Sequence, residues 1–75
     1  SQYAVRALDW MFERPIFKTS DFRESVDIPE PTANRIIRVC REEGLLRELQ
    51  PGGGRRAAIL CFPELINIAE GRDVF

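Results

Sequence analysis

Between Pro29 and Leu46 the apolar residues Ala33, Ile36, Ile37 and Cys40 recur at three- and four-residue intervals. Pro31, Asn34, Arg35, Arg38 and Glu42 fall between them. At about 3.6 residues per turn this spacing predicts a helix with one face for a core and the opposite face for a partner. Its ends carry separate signals. Pro31 suits a first turn, where a missing N–H costs nothing, and Gly44 suits the left-handed residue that stops a helix. The predicted helix runs from about Glu30 to Glu43.

The same pattern reading extends to both sides of that helix. From Tyr3 to Phe12, the residues Ala4, Ala7, Leu8, Met11 and Phe12 form an apolar stripe interrupted by Arg6 and Asp9, which predicts an amphipathic helix ending at Arg14-Pro15. Trp10 is expected to pack at the core edge. Ile16-Phe17-Lys18 has room for one short strand, and Thr19 or Ser20 is expected to cap a second helix with Asp21 in its first turn. Phe22 and Val26 make its apolar pair, and it must stop before Ile28-Pro29, leaving a tight turn at 27–29.

Beyond Gly44 the alternation turns strand-like. Two extended runs, 45–49 and 55–62, flank Pro51-Gly52-Gly53-Gly54 and predict a hairpin with a mobile tip; AAILCF in the second run is nearly all apolar, so at least its central part should be buried. Pro63 opens a last short helix, from which Leu65, Ile66 and Ala69 are expected to pack back and which Gly71 ends. The class is α+β and mostly helical. Three helices, a short strand, a two-stranded hairpin and a short C-terminal helix follow one another in the order of a winged helix-turn-helix.

With 75 residues there is material for one small domain and one core. The net charge of −1 and pI near 5.4 exclude a surface that is basic everywhere, so any nucleic-acid contact must rest on a local patch. Cys40 and Cys61 stand in apolar surroundings and are expected to be buried thiols of a reducing cytoplasm. No apolar run approaches the ~20 residues of a membrane span.

In a winged helix-turn-helix the third helix turns its outer face to the major groove and the hairpin reaches a neighbouring groove or the phosphates. The residue types at those places suit the task. Asn34 can pair with an adenine edge, and Arg35 and Arg38 with guanine edges or phosphates. Pro31 and Thr32 stand at the helix start, where Thr32 and free N–H groups favour an anion, and Arg55 and Arg56 follow the hairpin glycines. The plainer alternative is that Arg35, Arg38 and Arg41 only solvate the helix, pairing with Glu30 and Glu42 at helical spacings, and that Arg55-Arg56 are ordinary solvated loop charges.

Catalysis finds little support. The chain has no His, and no Ser stands beside an evident base, so there is no nucleophile constellation. No Cys/His spacing suits a metal, and the glycine triplet lacks the Lys-Ser/Thr of a phosphate-binding loop. Neither a catalytic residue nor a cofactor is assigned.

Three stretches, ALDWMFERPIFKTSDF, IPEPTANRIIRVCREEGLLREL and FPELINIAEG, together resemble the C-terminal winged-helix domain that follows the catalytic core in bacterial Fic (filamentation induced by cAMP) proteins. The resemblance implies a parent that transfers AMP to a protein hydroxyl through an HPFxxGNGR motif. That motif is absent here, so no catalytic role carries over. What carries over is an accessory winged helix in which Pro31, Thr32, Asn34, Arg35 and Arg38 face the groove and Arg55 and Arg56 form the wing. Pro29 departs from the Ser or Thr cap common in such turns.

The expectation is thus a single domain over 1–75, cut from the C-terminal part of a longer cytoplasmic Fic-type protein. It would bind double-stranded DNA, alone or as a homodimer, beside the catalytic core of the same chain. The rival expectation is a regulatory module of the same fold that docks to the core, another subunit or a protein substrate; the acidic pI and Glu30 favour it.

Overall fold

The computed structural model describes residues 2–75. Among them the chain forms α1 (Gln2–Glu13), β1 (Ile16–Lys18), α2 (Thr19–Ser25), α3 (Glu30–Glu42), β2 (Arg47–Gln50), β3 (Ile59–Cys61) and α4 (Pro63–Glu70). This is a small, mostly helical α+β arrangement, consistent with a winged-helix-like layout. The three strands make one antiparallel sheet in the order β1-β3-β2.

β3 is the central strand, and both others pair with it alone. Phe17 stands opposite Leu60 on one side and Glu48 opposite Leu60 on the other. Two backbone bonds extend the β1 edge, from the Thr19 N–H to the Ala58 carbonyl at 3.0 Å and from the Phe62 N–H to the Pro15 carbonyl at 2.8 Å. On the β2 edge the register slips between Glu48 and Gln50, so Leu49 bulges out of the ladder.

The helices close over the sheet through one core. Met11 of α1, Phe22 of α2 and Leu60 of β3 are its largest fully buried members. Trp10 packs edge-on against Phe17 and Phe22, each with centroids 5.2 Å apart, an arrangement that suits the ring quadrupoles. Its indole N–H donates to Ser25 Oγ at 2.9 Å, and that hydroxyl donates to the Asp21 carbonyl at 2.6 Å. Trp10 is therefore a packing residue whose polar edge ties α1 to α2.

Helix α3 ends as its glycine predicts. Gly44 lies at φ 80°, its N–H bonds the Arg41 carbonyl, and the Leu45 N–H bonds the Cys40 carbonyl. That pair of bonds is a Schellman closure, which satisfies carbonyls left open by the last turn. In the preceding turn Asp27 adopts φ 58°, unusual for a residue with a Cβ. Arg6 braces it, donating to the Asp27 carbonyl at 2.7 Å.

Four local expectations fail. The cap of α2 is Lys18, with no side-chain bond, because Thr19 already belongs to the helix and turns inward among the buried residues. Phe12 is half exposed, since α1 offers Ala7, Trp10 and Met11 to the core and Phe12 lies off that face, its ring touching Phe62. Ala69 is exposed because α4 lies against the body only through Pro63 and Leu65 and their neighbours. The strand expected over 55–62 is regular only at 59–61, the residues before it forming the hairpin's loop.

Candidate functional site

The core claims Ala33, Ile37 and Cys40 of α3, which fixes the helix's rotation and leaves its other sides in solvent. Pro31, Asn34, Arg35 and Arg38 are exposed and Thr32 is half-buried. The exposed residues share the outer side of α3 but open onto two different depressions. Asn34, Arg38 and Arg41 line a shallow depression of about 500 Å³, with Ile37 at its base and Glu42 beside them. Thr32 and Arg35 lie on the other flank, along an apolar groove between α1 and α3.

The pairing expected within the helix does not occur. Among the described residues Arg35 and Arg38 make no ion pair, and neither Glu30 nor Glu42 engages an arginine. Arg41 instead leaves the helix, its Nη2 reaching Glu48 Oε2 on β2 at 2.7 Å. Asn34 Oδ1 accepts a long bond, 3.5 Å, from Arg23 of α2. The free charge on this flank is thus Arg38, with Arg41 half-neutralised and Glu42 opposing both.

Arg55 and Arg56 are exposed at the end of the hairpin. The tip is a two-residue turn, Gly54-Arg55, closed by reciprocal backbone bonds between Gly53 and Arg56 at 3.0 and 2.9 Å. Gly54 takes φ 58° at the first central position, as a type II′ turn demands. Neither guanidinium has an internal ion partner among the described residues. Both cations therefore stand on a short, well-closed support.

Three residues near this surface escaped the sequence reading. Arg41 looked like one more solvated charge, Arg23 lies in a different helix from the residue it touches, and Arg47 faces the C-terminal tail, its guanidinium 5.8 Å from the Phe75 ring centroid. Only Arg41 left a trace in the sequence, as a basic residue in the last turn of α3.

Cys40 and Cys61 are buried free thiols. Burial raises the pKa of both, with Arg47 partly opposing the rise at Cys61, so each is held neutral and poorly nucleophilic. Among the described residues no group of three or more His, Cys, Asp or Glu is placed to hold a metal ion, and no helix is long and apolar enough to cross a membrane. No protein-family model, curated protein or solved structure matches the chain.

Proposed function

We propose that this chain is a winged helix-turn-helix module that binds double-stranded DNA, with α3 as the groove-facing helix and the 47–61 hairpin as the wing. The observation that carries the reading is the exposure, without ion partners among the described residues, of Arg38 on α3 and of Arg55 and Arg56 at the hairpin tip. Asn34 stands beside Arg38 and supplies an amide for a base edge, while Arg35 and Thr32 reach the phosphates on the far flank. Arg41, tied to Glu48, couples helix and wing. Carboxylates Glu30 and Glu42 lower the affinity, while the phosphate contacts of the arginines make the binding salt-dependent. In this reading the module is an accessory domain of a Fic-type protein, the likeness of the three stretches quoted above being its support, and the AMP-transfer chemistry belongs to residues outside this chain.

The test is fluorescence anisotropy with a pool of mixed-sequence duplexes in low salt. Binding that weakens steeply with added salt supports the reading; no binding of any duplex at low salt ends it. A docking module of the same fold is the second reading, favoured by the apolar groove between α1 and α3.

A further inference from the structure

Helix α1 presents two apolar side chains to solvent on the side away from its core stripe. Val5 is 60% exposed and Phe12 52%. Leu8 lies between them, at three- and four-residue spacing, and lines the groove formed with α3. The groove holds about 360 Å³; Ile36, Val39 and Leu45 form its far wall, with Val39 42% and Leu45 37% exposed. A continuous apolar surface thus runs from an α1 ridge into an α1/α3 groove. Apolar area of that kind, rimmed by charge, marks a protein contact.

The rim carries one charge of each sign. Asp9 follows Val5 by four residues and precedes Phe12 by three, so it sits beside the ridge and is exposed. Arg35 is the one charged residue lining the groove. Neither has an ion partner among the described residues. Ridge with acid and groove with base are therefore complementary halves on the same surface, which is what an isologous two-fold interface requires.

We infer that the occupant of this groove is a second copy of the chain. About a two-fold axis near Leu8, Val5 and Phe12 of each copy enter the other's groove, and Asp9 of each meets Arg35 of the other. The pairing leaves Asn34, Arg38 and both hairpin arginines outside the interface but occupies Arg35, which in the dimer no longer reaches a phosphate, so a dimer of this kind presents two copies of a DNA-binding surface made by those four residues. The inference does not depend on DNA being bound.

Sedimentation velocity on the 75-residue chain, from about 10 μM to 1 mM, reads the equilibrium directly. Concentration-dependent dimerisation is expected. Asp9→Arg and Arg35→Asp each raise the dissociation constant about tenfold, because symmetry repeats every repulsive contact twice. The double variant D9R/R35D restores it to within about threefold of the parent, as expected for coupled charges. Val39→Glu, which places a charge on the groove wall, abolishes the dimer, with circular dichroism reporting that the helices persist. A chain that stays monomeric throughout overturns the inference. So do a dimer indifferent to D9R, R35D and V39E, and folded single variants that the double swap does not rescue. Arg38→Ala leaves dimerisation unchanged, which separates this surface from the DNA-binding one.

Discussion

The guanidinium of Arg41, in the last turn of α3, donates to the carboxylate of Glu48 on β2 at 2.7 Å. Both side chains are partly exposed, so the bond is worth modestly less than its length alone implies. We expect Arg41→Ala and Glu48→Ala each to cost about 0.5–1 kcal/mol. A double-mutant cycle by urea denaturation should return a coupling of a few tenths of a kcal/mol to about 1. In R41A the amides of β2 should exchange faster than those of β1, since the hairpin loses its tie to the helix.

Arg38 and Arg35 are neighbours at three-residue spacing on α3, yet Arg38 lines the depression shared with Asn34 and Arg41, and Arg35 lines the groove with α1. Arg38→Ala should weaken duplex binding about three- to tenfold and reduce the slope of log K against log salt by about 1, one phosphate contact being lost. Arg35→Ala should have the smaller effect. Anisotropy titrations at several salt concentrations measure both quantities at once.

The left-handed conformation of Asp27 sets the turn into α3. A β-branched residue is poorly accommodated there, so Asp27→Val should cost about 1–2 kcal/mol, whereas Asp27→Gly should be close to neutral. Removing its brace by Arg6→Ala should cost about 1 kcal/mol through the lost bond to the carbonyl. Thermal melts of the three variants give the order V below A below G.

Ser25 serves two partners, accepting from the Trp10 indole and donating to the Asp21 carbonyl. Ser25→Ala removes the indole's protein acceptor, and because Ser25 is exposed water takes its place, a loss of about 0.5–1 kcal/mol. The emission of Trp10 reports it, shifting to the red as water reaches the ring edge.

Both thiols have folded-state pKa values raised above the ordinary 9.0 by burial. The folded chain therefore binds its thiol protons more tightly than the unfolded chain does. Stability from this source is complete below about pH 9 and is lost as pH rises through the raised folded values. Urea midpoints should be flat across neutral pH and fall in the alkaline range. Alkylation by iodoacetamide at about pH 8 should be at least tenfold slower in the native chain than in guanidinium, since the thiolate is the reacting form.

Sequence periodicity located α3 almost to the residue, from Glu30 to the Glu42–Glu43 boundary, because its apolar spacing, Pro31 and Gly44 all pointed the same way. The hairpin and α4 were legible for similar reasons, each bracketed by Pro or Gly. What escaped was decided by partners distant in the chain. Phe12 fits the α1 stripe by spacing, yet the rotation of α1 is set by Trp10 and Met11 meeting Phe17 and Phe22, and Phe12 is left outside. Thr19 has the chemistry of a cap, but the bond from its N–H to Ala58 places it inside the helix and Lys18 at the boundary. Each candidate residue on α3 and at the hairpin tip is exposed except Thr32, which is half-buried; that Thr32 and Arg35 line a groove with α1 depends on how α1 packs on α3, which no local pattern encodes.

The central position of β3 has a consequence for how the molecule is made. The residues at 16–18 and 47–50 find strand partners only in Ile59–Cys61. On the ribosome, therefore, the three helices emerge able to pack on one another but without the strand that completes their core, and the sheet assembles only once residue 61 has cleared the exit tunnel. Nascent chains halted before that point should remain protease-sensitive throughout, and those a few dozen residues longer should become resistant in a single step.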